Sequence, residues 1–110
     1  MEITPKGCPW DDGTTTFAAF RGNLQMLQWA LDNGCPFSNS ITSVSAGNGH
    51  LHVLQWAIGQ GYPWHEKTCI FALQGKYFNI AEWALKNGCP RDEETREMIE
   101  KRAPQLLQFF

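Results

Sequence analysis

The sequence predicts an all-α fold, a solenoid of helix-turn-helix units stacked in a single domain over residues 1–110, and three observations predict it. The chain repeats every 27 residues, because Gly7-Cys8-Pro9-Trp10 returns as Gly34-Cys35-Pro36-Phe37, Gly61-Tyr62-Pro63-Trp64 and Gly88-Cys89-Pro90-Arg91. Trp29, Trp56 and Trp83 keep the same spacing, and the apolar residues around them recur with a helical period. A fixed period of about 20 to 50 residues marks one supersecondary unit stacked on copies of itself, since a single unit cannot bury its own apolar face. The period divides the chain into units at 8–34, 35–61 and 62–88 and a partial capping unit at 89–110.

The first helix of each unit is expected to begin near Asp11, Ser38, His65 and Asp92, where three of the four side chains offer an N-cap oxygen to the free amides of the first turn. Trp10, Phe37 and Trp64, just before, suit a hydrophobic staple. The helix runs through Phe17-Ala18-Ala19, Val44-Ser45-Ala46 and Phe71-Ala72-Leu73 and ends near Gly22, Gly49 and Gly75, with small residues that let neighbouring helices approach. In the second helix Leu24, Leu27 and Leu31 fall at i, i+3 and i+7, as do Leu51, Leu54 and Ile58. Met26, Trp29 and Ala30, and Val53, Trp56 and Ala57, widen that stripe, which predicts burial between neighbouring units. Each second helix stops at Asn33-Gly34, Gln60-Gly61 or Asn87-Gly88, where glycine takes a left-handed C-cap and a proline two residues on forbids resumption. In the last unit Gln105-Leu106-Leu107-Gln108-Phe109-Phe110 follows the second-helix register and puts Phe110 at the position of Trp83.

Composition excludes several classes of function. The chain is 43% hydrophobic with a net charge of −2 and no run of Lys or Arg, so the electrostatic footprint of a nucleic-acid or anionic-lipid binder is missing. No apolar stretch approaches the ~20 residues that span a bilayer, and Met1-Glu2-Ile3-Thr4-Pro5-Lys6 lacks a signal-peptide core. An intracellular, cytoplasmic location is expected, in the host cytoplasm if the source is a virus.

Cys8, Cys35 and Cys89 hold one repeat position, and equivalent positions in stacked helices lie roughly 10 Å apart. A disulfide needs Cα atoms within about 7 Å, so bridges between adjacent units are not expected and the cysteines read as small buried residues. His50 and His52 lack the Cys-x-x-Cys or His-x(3–5)-His companions of a zinc site. No Ser-His-Asp, paired-carboxylate or glycine-rich phosphate pattern converges by spacing. We therefore expect no enzyme, cofactor, metal or small-molecule substrate. Trp29, Trp56 and Trp83 are expected in the core, where a buried aromatic removes ~150–250 Å² from water. Trp10 and Trp64 are open between a staple and a partner anchor.

The strings 18–34 (Ala18-Ala19-Phe20-Arg21-Gly22-Asn23-Leu24 onward) and 49–56 (Gly49-His50-Leu51-His52-Val53-Leu54-Gln55-Trp56) resemble the latter part of ankyrin repeats. The likeness covers nearly the whole chain as three copies and a partial one, and it is similar to the short Gly-Cys-Pro-Trp type of array associated with large DNA viruses and some protists. Two features depart from the family. Its Thr-Pro-Leu-His opening is replaced by Gly13-Thr14-Thr15-Thr16, Ser40-Ile41-Thr42-Ser43 and Lys67-Thr68-Cys69-Ile70. The usual period is about 33, so roughly six residues are missing where the projecting β-hairpin finger is built. The resemblance thus implies an ankyrin-like solenoid with truncated fingers that binds protein through the exposed side of the first helix and the loop before it. The implied contact residues are Asp12, Thr15, Thr16, Arg21, Asn39, Thr42, Ser43, Asn48, His65 and Glu66.

Residues 35–61 contain no Asp, Glu, Lys or Arg, whereas residues 89–110 contain nine. The charged unit suits a polar outer cap, and the neutral one suits either a unit covered on both sides or an interface centre, where charge is depleted. Only six residues precede Gly7, which leaves the first unit's outer face bare and suggests either a short array or a piece of a longer one. Two functions follow. One is a scaffold that recruits a protein target, in longer relatives beside an adaptor domain such as an F-box. The other is a self-assembling element that forms a homodimer through its ends.

Overall fold

The computed structural model describes residues 13–38 and 40–110, and 69% of those residues are helical, with no strand among them. Helices α1 (Gly13–Arg21), α2 (Leu24–Asp32), α3 (Ser40–Gly47), α4 (Leu51–Gly59), α5 (Thr68–Gln74), α6 (Phe78–Lys86) and α7 (Glu93–Arg102) are followed by a 3-10 helix, Pro104–Phe109. Each odd helix pairs with the even one after it, α1 with α2, α3 with α4 and α5 with α6. The first helices α1, α3, α5 and α7 also pack on one another in chain order, giving a molecule of 54 × 20 × 19 Å. Ala18, Ala19, Ala46 and Ala72 at 0% exposure explain that approach, because interaxial distance follows the size of the side chains at the contact. The apolar interior continues along the second helices through Leu27 and Ala30, Val53, Leu54 and Ala57, and Ile80, Ala81, Ala84 and Leu85.

The turns after α1 to α6 are closed by the same pair of backbone bonds. After α2, Gly34 N–H donates to Leu31 O and Cys35 N–H to Ala30 O, a Schellman motif repeated after α4 and α6. The first helices end likewise, with Asn23, His50 and Tyr77 N–H donating to Ala18, Ser45 and Ala72 O at 2.9 Å each. The left-handed residue in these turns is Gly22 (φ 71°), Gly49 (φ 82°) and, one period later, Lys76 (φ 65°). Gly75 is therefore not the equivalent terminator, since its φ is −81° and the repeat position falls one residue further on. A Cβ on Gly22 would lie 2.4 Å from the His50 ring, and one on Gly49 would lie 2.7 Å from the Tyr77 ring, so glycine here also makes room for the next unit.

Three expectations need correction. Trp29 is 46% exposed and Trp56 and Trp83 are half-buried, because the tryptophans flank the stripe whose centre is Leu27, Leu54 and Ala81. Trp56 packs against Tyr62 and Trp83 against Trp64, with ring centroids 6.0 and 5.9 Å apart. The second helix of the last unit is a 3-10 helix, whose three-residue turn aligns Leu106 and Phe109 against the core and leaves Leu107 exposed. Finally, Cys35 is disulfide-bonded, where the sequence reading expected a small buried thiol. Cys69 and Cys89 are buried free thiols.

Arg91, at the position of Phe37 and Trp64, anchors the 3-10 helix. Its Nη1 donates to Phe109 O at 2.9 Å and Phe110 O at 3.0 Å, its Nη2 to Leu85 O at 2.8 Å and its Nε to Cys89 O at 3.2 Å. One guanidinium thus serves carbonyls at the ends of α6 and of the 3-10 helix, and lies 5.8 Å over the Phe110 ring. Asp92 caps α7, its carboxylate accepting from the Thr95 N–H and hydroxyl at 2.9 Å each. Those bonds hold its carboxyl below the usual 3.8.

A candidate protein-binding face

Stacking the first helices in register aligns their outward residues in rows across the molecule. One row is Phe17, Val44, Phe71 and Met98, and the next begins with Phe20 and Gly47. Phe17 and Phe20 are each 51% exposed and Phe71 is 37% exposed, while Val44 and Met98 are half-buried. Phe20 follows Phe17 by three residues, which puts both rings on one side of α1. Arg21 joins them, its guanidinium 5.9 Å from the Phe17 ring. Phe71 closes over Gly47, where an added Cβ would come within 3.2 Å of the Phe71 Cβ. The uncharged second unit therefore forms a low apolar stretch between the phenylalanines of α1 and Phe71.

The residues expected to make contacts divide into three groups. Arg21 and Glu66 are exposed, and Thr16, Asn48 and His65 are half-buried around the apolar rows. His65 stacks on Phe71 with centroids 6.3 Å apart and accepts the Lys67 N–H on Nδ1 at 2.9 Å, while Asn48 Nδ2 donates to Val44 O at 2.8 Å. Thr15, Thr42 and Ser43 do not face solvent, being 0%, 0% and 1% exposed. Thr15 Oγ1 donates to Pro36 O at 3.1 Å, Thr42 Oγ1 accepts the His65 N–H at 2.9 Å, and Ser43 Oγ donates to Ser40 O at 3.0 Å. These hydroxyls join units or satisfy their own helix, which removes them from a contact surface. Asp12 and Asn39 lie outside the described residues.

Reading by residue type missed Phe17, Phe20 and Phe71, although the 27-residue register that aligns Phe17 with Phe71 held the signal. His50 and His52 reach back across the junction of the first two units. Their Nε2–H groups donate to Phe20 O at 3.1 Å and Gly22 O at 2.9 Å, which satisfies carbonyls at the end of α1. No group of three or more His, Cys, Asp or Glu among the described residues is placed to hold a metal. No helix among them is long and apolar enough to cross a membrane. Comparison of the chain with protein-family models, with curated proteins and with solved structures finds no match.

Proposed function

We propose that the chain is a protein-binding scaffold, an ankyrin-like solenoid without fingers whose first-helix face receives a segment of a partner protein. The observation that carries this reading is the exposure of Phe17 and Phe71, in register, with Phe20 beside Phe17 on the same face. Large aromatics leave water at little entropic cost and dominate interface energetics, and a neutral centre with charged margins matches the anatomy of such surfaces. Arg21 at one margin and Glu66 at another would supply the polar rim.

The test compares proteins retained from the source cell by the wild-type chain, by Phe17→Ser/Phe20→Ser and by Gln55→Glu, which alters an exposed residue of α4. The reading expects a partner held by the wild type and by Gln55→Glu and lost from the double variant. Retention of the same proteins by all three would refute it. Self-assembly is the second reading, favoured by Leu107 and Phe110 at 37% and 38% exposure at the far end of the stack. It expects a sedimentation coefficient that rises with the concentration of the pure chain.

A further inference from the structure

Among the described residues, Lys67, Lys86 and Arg96 form ion pairs with Glu94, Glu82 and Glu100, and Arg91 commits its guanidinium to backbone carbonyls. The remaining cations there, Arg21, Lys76, Lys101 and Arg102, are exposed and make no ion pair with another described residue. All four stand at the C-terminal ends of first helices, since Arg21 closes α1, Lys76 follows α5, and Lys101 and Arg102 close α7. A cation at a helix C-terminus offsets the dipole, but that need is equal in the second helices. Those helices do not show the pattern: α2 and α4 end without a basic residue, and Lys86 of α6 is bound to Glu82. Lys76 also holds the left-handed position that glycine fills in the first two units, a strained place for a lysine whose ammonium bonds to no described residue.

The cations run beside the apolar row. Three periods on, Lys101 repeats the position of Phe20, Arg102 that of Arg21 and Met98 that of Phe17. Met98, Lys101 and Arg102 line one hollow on α7 with Glu94 and Glu97. Given the protein-binding role proposed above, we infer that the first-helix face takes an acidic segment of a partner protein. Its large apolar side chains lie along Phe17, Phe71 and Met98, and its carboxylates stand against Arg21, Lys76, Lys101 and Arg102. The row spans three helix spacings, roughly 30 Å, or about nine residues of extended chain. Opposite charges across such a surface speed association and fix partner choice, because like charges are rejected. A nucleic-acid strand fits less well, since Glu97 in the Met98 hollow repels a backbone that is anionic throughout, whereas a peptide can place a neutral residue there.

The experiment selects from a displayed library of random peptides about twelve residues long, with the folded full chain as bait. The inference expects recovered peptides with a net negative charge and several large apolar side chains. Synthetic copies should bind about tenfold more weakly, or worse, as salt rises from about 0.05 to about 0.5 M. Arg21→Glu/Lys101→Glu/Arg102→Glu should weaken them by about tenfold or more, whereas Lys86→Glu on α6 should change binding by less than about twofold. Circular dichroism verifies that the variants are folded, and the salt dependence of the wild type decides if one is not. Neutral or basic peptides, acidic ones that bind the charge-reversed triple variant as well as the wild type, capture of a labelled oligothymidine in their place, or no enrichment at all would each overturn the inference. The scaffold reading has a separate readout. Peptides lost from Phe17→Ser/Phe20→Ser support it whatever their charge, and acidic peptides held equally by that variant overturn both.

Discussion

The left-handed position closing the first helices holds glycine in two units and lysine in the third, which allows one position to be pushed in opposite directions. In Gly49→Ala, a Cβ is placed on a residue at φ 82°, 2.7 Å from Tyr77 Cε1 and 2.9 Å from Cζ. An L-residue in this conformation costs about 1–2 kcal/mol, and restricting the unfolded chain returns about 0.4–1 kcal/mol. The Tyr77 ring, already 36% exposed, must swing outward, and the contact it loses adds about 1 kcal/mol. The sum is a loss of roughly 2 kcal/mol. Lys76→Gly reverses the first two quantities with no ring to move, and should raise stability by about 0.5–1 kcal/mol. Urea unfolding followed by tryptophan fluorescence and circular dichroism reads both, as shifts of the midpoint at constant slope. If Lys76→Gly lowers the midpoint, or Gly49→Ala leaves it in place, the backbone argument is wrong.

Three further outcomes can be measured. Arg91→Ala removes charge-assisted bonds to four carbonyls and should cost about 2–4 kcal/mol, and Arg91→Lys should recover less than half, because one ammonium cannot span them. Equal stability of the lysine variant and the wild type would show that charge alone matters. Asp92 has a folded pKa below its unfolded one, so its contribution is complete above the ordinary 3.8 and disappears as pH falls through the lower folded value. Asp92→Asn keeps an N-cap acceptor without the titration, so its urea midpoint should decline less than that of the wild type below about pH 4. Phe17→Ser/Phe20→Ser should change stability by less than about 1 kcal/mol, since both rings are half in water, and a larger loss would mark them as core residues.

The period, the helix pairs and the Schellman turns were legible because each rests on local chemistry: apolar spacing, glycine and proline. Lys76 was not, since the adjacent Gly75 offered the residue type that such turns favour, and only the exact register shows that the neighbour takes the left-handed conformation. Thr15, Thr42 and Ser43 looked like surface residues by type. Their burial follows from the close approach of first helices, a tertiary fact that the polarity of a hydroxyl conceals. The 3-10 helix escaped because Gln105–Phe110 keeps a helix-two composition, while Pro104 and the grip of Arg91 on Phe109 and Phe110 impose a tighter turn. The exposure of Phe17, Phe20 and Phe71 on the first helices was not read from the sequence.

Among the described residues, the main contacts of each helix are with the element adjacent to it or one further along the chain. Length is therefore a free variable of this architecture. Residues 35–61 meet a similar junction on either side, so recombination that duplicates or deletes one period would re-form junctions of an existing kind without requiring a new core. A conventional globular domain has no such cut point, because its interior is shared by distant parts of the chain. Here the length of the first-helix face would change in increments of one helix spacing, roughly 10 Å. Evolution could adjust the footprint of the aromatic face by unequal crossover, with point substitution left to refine its chemistry.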